Sequence, residues 1–352
     1  MLRKIVIRKI KEIFKMPATE VQENTVAPKF LKHIEEQVKE LQRIRPDVQH
    51  LLKTSSDYAG PFRSIEVTTL KSFSRVNGDH EKSLATEFNI PSLDVSLAKV
   101  EENENKSVTK RIHFIRHGEG YHNVAFKQGT LTWPWEPQEE DGVKHTLDKH
   151  PDYSYVDTVL TDEGEQQAVS LQDYIKQNCG NCTLLILSPM RRATQTGLLA
   201  FTREIKENGK IRKNPLKLVV KEDAHESFSA HPCDMRLNLK DLKTFFYETN
   251  AEKYGDVMKN SGLELDYSSQ GLRESDPFWD NGLRREDRIG CAKRGCKLLK
   301  WIYDIEDKEV AIAAHAGFLR AIFESVVVNK SQTNTTFLNG EVKTCDVTFN
   351  LV

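Results

Sequence analysis

Four short apolar segments constrain this chain more than any other feature: RIHFIRH at 111–117, TLLILSP at 183–189, LKLVVKE at 216–222 and EVAIAAH at 309–315. Each is too short for an ordinary helix and is bounded by polar residues, which is how a strand buried on both faces reads. Between them, the stretches 162–176, 192–204 and 285–304 carry apolar residues at three and four spacing, the period of an amphipathic helix. Strands and helices in alternation predict a three-layer α/β/α sandwich with a mostly parallel central sheet.

Ligands in open α/β sheets bind beyond the carboxyl ends of the strands. The first segment ends at Arg116-His117-Gly118, the second leads into Ser188 and Arg192, the third into Glu226, and the fourth ends at His315-Ala316-Gly317. One pocket can gather them all. Arginine forks match phosphate oxygens and are always charged, so two arginines and two histidines together make a receptor for a phosphoryl group. Neighbouring cations disfavour a further positive charge, which leaves His117 neutral and able to attack phosphorus. Gly118 lets the backbone come close to the phosphate. Charge that builds on the equatorial oxygens is met by Arg116, Arg192 and His315 as fixed donors, so the expected chemistry calls for no metal and no cofactor. Glu226 is the acid that the strand order offers for protonating the leaving alkoxide, an effect typically worth about 10²- to 10⁴-fold.

Composition narrows the partners. Basic and acidic residues number 51 and 52, for a net charge of -1, so no global positive field recommends nucleic acid. A mean hydropathy of -0.56 agrees with the lack of any run of about 18 apolar residues, the length a membrane span needs. Six cysteines in 352 residues are too sparse for a disulfide scaffold, and Cys179-Gly-Asn-Cys182 reads as an ordinary turn rather than a redox or zinc pair. Residues 1–107 read as a largely helical or irregular extension and linker, ahead of a domain at 108–352. The extension opens on a basic amphipathic stretch, MLRKIVIRKIKEIFKM, so a cytoplasmic protein is expected, with organelle targeting as one role for that stretch. Oligomeric state leaves no trace in the sequence.

Taken in order, RHGEGYHN at 116–123, LTDEGEQQA at 160–168, SPMRRATQT at 188–196 and AHAGFLR at 314–320 resemble the motifs of the histidine phosphatase, or phosphoglycerate mutase-like, superfamily. The resemblance covers residues 108–325. The GYHN after RHGE, the run HPCDMR at 231–236 and Asp276-x-x-Trp279 are similar to its eukaryotic phosphomutase-like branch. It implies a metal-independent acid-type phosphatase acting on a small-molecule phosphate. His117 would be the nucleophile, Arg116, Arg192 and His315 the phosphate pocket, Asn123 a further pocket residue and Glu226 the proton donor. Where the family often has Leu-Arg-Glu-His, this chain reads Ala-His-Glu-Ser at 224–227, which leaves His225 and Asp223 as rival donors. The stretch 126–157, with Trp133 and Trp135, is longer than the matching loop of glycolytic mutases and reads as a lid. A phosphomutase uses the same pocket, and an inactive member would keep the fold as an interaction module.

Overall fold

The computed structural model describes residues 62–75, 107–128, 139–140, 143–144, 155–207, 215–228, 231–268, 272–279, 286–331 and 334–351. The basic segment at 1–16, the helical periodicity at 30–52, Trp133, Trp135 and most of the 126–157 loop lie outside these. The strands of the main sheet are β1 (Phe62–Phe73), β2 (Ser107–Arg116), β3 (Leu184–Leu187), β4 (Lys217–Val220), β5 (Glu309–Ala314), β6 (Val328–Asn329) and β7 (Val342–Leu351). They lie in the order β4-β3-β5-β2-β7-β1-β6. Pairings β4-β3, β3-β5, β5-β2 and β1-β6 are parallel, and β7 alone runs antiparallel to its neighbours. Against the sheet pack α1 (Tyr121–Lys127), α2 (Asp162–Asn178), α3 (Arg191–Ala200), α4 (Arg288–Asp304) and α5 (Ala316–Ala321), with shorter turns between. Among the described residues, no helix is long and apolar enough to cross a membrane.

The continuous apolar runs of β3 and β5 are explained by cover on both faces. Leu184, Ile186, Val310 and Ile312 point into one core with Leu298, Leu299 and Ile302 of α4. Their neighbours Leu185, Leu187, Ala311 and Ala313 point into the other, with Leu171 and Ile175 of α2 and Leu198 of α3. Each long helix starts on a capped residue. Thr161 accepts from the Gly164 amide at 3.0 Å before α2, and Asp287 from that of Gly290 at 2.7 Å before α4. The pattern at 192–204 divides at Phe201 into α3 and a short helix, Thr202–Lys206. Cys179 closes α2, and the Cys182 amide returns to its carbonyl at 3.0 Å; all six cysteines are buried.

One strand departs from the expected layout. Phe62–Phe73 falls inside the stretch read as an extension, yet it lies within the sheet, paired with β7 from Phe62 opposite Leu351 to Phe73 opposite Val342. Register shifts after Phe62 and after Thr69 break its period of two, so the inward residues Phe62, Ile65 and Val67 show no clean alternation. Phe62 meets Tyr303 edge-on at 4.7 Å, which ties this strand to the end of α4.

Candidate active site

The carboxyl ends of β2, β3 and β5 meet at a buried group of histidines and arginines. His117 follows β2 and is 2% exposed. Its Nδ1 lies 2.7 Å from the Gly118 carbonyl, which can only accept, so Nδ1 carries the proton and Nε2 keeps a lone pair. Arg192, in the first turn of α3, donates its Nε–H to that Nε2 at 3.4 Å and one Nη1–H to the Cys233 carbonyl at 2.8 Å. His315, just past β5, has its ring centre 5.1 Å from that of His117. Arg116 is held by the Phe337 carbonyl at 2.7 Å. His122 on α1 stands 5.6 Å from His117 by ring centres and meets Thr158 Oγ1 at 2.8 Å.

Burial, then the charges of Arg192 and Arg116, hold His117 well below the usual histidine range. Burial and Arg192 do the same to His122 and His315. All three imidazoles are therefore neutral near pH 7. A folded state that refuses protons loses stability as pH falls below the unfolded histidine value of about 6.5. Urea midpoints are accordingly expected to drop from pH 7 to pH 5. His122→Asn should flatten that slope by up to about 1.4 kcal/mol per pH unit, the weight of one proton; an unchanged slope would contradict the assignment.

Two motif glycines are explained by one contact. A Cβ on Gly118 would sit 2.3 Å from the Gly164 carbonyl oxygen, and one on Gly164 only 2.0 Å from the Glu119 carbonyl oxygen. The turn after His117 and the start of α2 thus touch backbone to backbone, joined by Thr161 N–H to Glu119 O at 2.9 Å. Gly118 N–H also donates to Thr196 Oγ1 at 3.0 Å. Gly164→Ala is expected to cost about 1–3 kcal/mol in a urea melt, as overpacking usually does, and to lower kcat by moving Gly118.

Glu226 stands beside α5. Its carboxylate accepts the amides of Ser227 at 2.8 Å, Gly317 at 3.1 Å and Phe318 at 3.0 Å, so it is fixed to the same turn as His315. Its two rivals have other partners. Asp223 pairs with Lys297 at 3.3 Å. His225 is fully buried between the Glu226 carbonyl at Nδ1, 3.0 Å, and Asp276 at Nε2, 3.2 Å. Burial lowers the affinity of His225 for a proton, but Asp276 more than offsets it and the net shift is upward. Asp276 is opposed by burial too, yet His225 and two amides bring it down to about 2. The Asp276 contribution to stability is thus present above the unfolded carboxyl value of about 3.9 and is lost as pH falls towards 2.

Arg236 completes this buried network, forking onto Glu222 at 2.9 and 3.0 Å and donating its amide to Asp276 at 2.9 Å. Glu222, His225 and Asp276 lie close enough together to hold a cation, but Glu222 is already paired with Arg236, and Asp276 bonds His225. Asp276 therefore has a structural role, joining His225 to the Arg236 amide.

The remaining expected residue, Asn123, accepts from Gly120 N–H at 2.9 Å and from Asn339 Nδ2 at 3.3 Å. Asn339 also reaches the His117 carbonyl at 3.3 Å, and the Gly340 amide does so at 3.1 Å. The sequence reading did not single out His122, Thr196, Asn339 or Asp157 for this site. Asp157 is buried with φ 42°, receives the amides of Arg191 at 2.8 Å and Leu237 at 3.1 Å, and so anchors the start of α3 beneath Arg192. His122 and Thr196 carried a signal, the one its place in the GYHN run and the other its place at the end of SPMRRATQT.

No family model matches the chain. Among curated proteins, a phosphoglycerate mutase-like protein of Arabidopsis thaliana is 29% identical over 237 residues, covering 61% of this chain and 74% of its own length. Phosphoglycerate mutase-like protein 1 of the same plant is 26% identical over 230 residues, covering 60% and 69%. Of solved structures, the ecdysone phosphate phosphatase of Bombix mori is 14% identical, covers 61% of this chain and 76% of its own, and has a TM-score of 0.38, too distant to carry an argument. The ordered motifs that resemble the histidine phosphatase superfamily thus gather on this sheet, and the curated relatives the chain is similar to are phosphoglycerate mutase-like proteins of a eukaryote.

Proposed function

We propose that this chain hydrolyses small-molecule phosphate monoesters by way of a phosphohistidine on His117. The observation that carries the reading is the state of His117: its Nδ1 proton is engaged at 2.7 Å by the Gly118 carbonyl, and its Nε2 lone pair faces the Arg192 guanidinium. A phosphoryl group drawn in by Arg116 and Arg192 meets a neutral nucleophile already oriented for in-line attack. Nε2 forms the bond to phosphorus while the ester oxygen leaves. The positive charges of the two arginines and a hydrogen bond from His315 stabilise the equatorial oxygens. Glu226 gives its proton to the departing alkoxide, then takes one from the water that attacks the phosphohistidine, regenerating His117.

Because burial and Arg192 hold the pocket histidines below the usual histidine range, the nucleophile stays neutral as pH falls below about 6.5, and activity is expected to persist there. A panel of phosphate esters read by released phosphate, with and without a bisphosphoglycerate primer, tests the reading. Release of phosphate without primer supports hydrolysis, whereas isomerised product that requires primer would make the protein a mutase. Glu226→Gln is expected to slow cleavage of alkyl phosphates by about 10²-fold or more and that of aryl phosphates, with better leaving groups, much less. Equal slowing of both would remove Glu226 from the donor role. The basic segment at 1–16 is proposed as a targeting or membrane-surface sequence, tested by locating the full chain with and without it.

A further inference from the structure

Ser188 closes β3 and is fully buried, and its hydroxyl has two neighbours among the described residues. The Met190 amide donates to its oxygen at 3.3 Å, and His315 Nε2 lies 2.8 Å away. An amide has only a proton to offer, so it can take nothing from the hydroxyl. If His315 Nε2–H also donated to Ser188, the serine proton would be left buried with no acceptor, an arrangement that folded proteins avoid. The satisfied alternative is that Ser188 Oγ–H donates to Nε2, which puts the imidazole proton of neutral His315 on Nδ1. That Nδ1 is the buried atom of His315 with no hydrogen-bond partner among the described residues.

We propose that Ser188 is a positioning residue that fixes the tautomer of His315, so that Nδ1–H stands as an unspent donor for a phosphoryl oxygen. This rests on the phosphoryl-transfer reading above for what the donor meets, though not for where the proton sits. The opposite tautomer would present a lone pair to an anionic oxygen, replacing attraction by repulsion. Burial, and then the charge of Arg192, disfavour a second proton on the His315 ring, and a neutral ring must choose one nitrogen. The Thr194 hydroxyl, bonded to the Ser188 carbonyl at 2.7 Å, keeps the serine in place.

The tautomer is read directly from the ring nitrogens of the ¹⁵N-histidine-labelled full chain, with His315→Gln assigning the signals. In the unaltered protein the Nδ1–H form of His315 is expected to dominate at pH 7. In Ser188→Ala it should give way to a mixture of tautomers, with kcat lower by roughly 10- to 100-fold and weaker inhibition by inorganic phosphate. Deleting a transition-state donor outright typically costs about 10²- to 10³-fold, which sets the upper limit. Ser188→Thr, which keeps the hydroxyl, is expected to restore both the tautomer and most of the rate. An Nε2–H signal in the unaltered protein, or an Nδ1–H form that persists unchanged in Ser188→Ala, overturns the proposal. If the Nδ1–H form depends on Ser188 yet no phosphate ester turns over, the assigned chemistry fails and the proton assignment stands.

Discussion

His117→Ala is expected to lower turnover of an aryl phosphate by about 10⁴-fold or more, because a covalent route is lost as a unit when its nucleophile is removed. The assay belongs in EDTA, since the proposed mechanism draws its positive charge from Arg116 and Arg192. The companion measurement is rapid quench with a ³²P-labelled ester. A histidine-linked label is lost in acid and kept in alkali, and it should appear in the unaltered protein and be absent from His117→Ala. The expected loss is much larger than for His122→Asn, whose ring lies 5.6 Å from that of His117 and is held by Thr158. Label that persists in His117→Ala would move the nucleophile to another residue, and turnover equal to that of the unaltered chain would leave the protein a scaffold.

The second large effect concerns the boundary of the catalytic domain, which we propose begins at about residue 62 rather than 108. A chain starting at residue 107 would keep every motif residue named above and is nonetheless expected not to fold. It would strip β7 of one of its two partners along ten residue pairs, from Phe62 opposite Leu351 to Phe73 opposite Val342. It would also uncover the core around the missing Phe62, Ile65 and Val67, all nearly fully buried. At about 1.5–3 kcal/mol for each large apolar side chain, that loss approaches the roughly 5–15 kcal/mol that holds a whole domain together. The unsheathed β7 edge would also invite pairing between chains. A chain starting at residue 58 should instead melt cooperatively and retain activity. A cooperative, active chain starting at 107 would return the boundary to the expected place.

This contrast marks what the sequence could and could not convey. β3 and β5 were legible because cover on both faces makes them fully buried, β2 and β4 through the short apolar runs within them, and the active-site residues because they stand at the ends of those strands. β1 and β7 were not, since β1 carries two register shifts and β7 buries Lys343 and Thr344 among its apolar residues. Lys343 can be buried because its ammonium is taken up by the carbonyls of Asn334 and Thr336, at 2.5 and 2.6 Å, a pairing between segments that no local pattern announces. The same limit applied within the site. His117, Arg192 and His315 were readable from order along the chain, whereas Asp157 and Asn339 act through amides and carbonyls far away in sequence. Glu226 was readable as a position, yet its fixation to the Gly317 and Phe318 amides was not, because that depends on how β4 and β5 are set on the two sides of β3.

The bond between Arg116 and the Phe337 carbonyl spans 221 residues. A ribosome adding about 5–20 residues per second needs roughly 10 to 45 s to travel that distance. Throughout that interval the RHG segment has been made while the backbone that aims its arginine has not. The pocket is therefore among the last features to appear during synthesis, and a nascent chain stalled before residue 337 holds its nucleophile without the frame that makes it reactive.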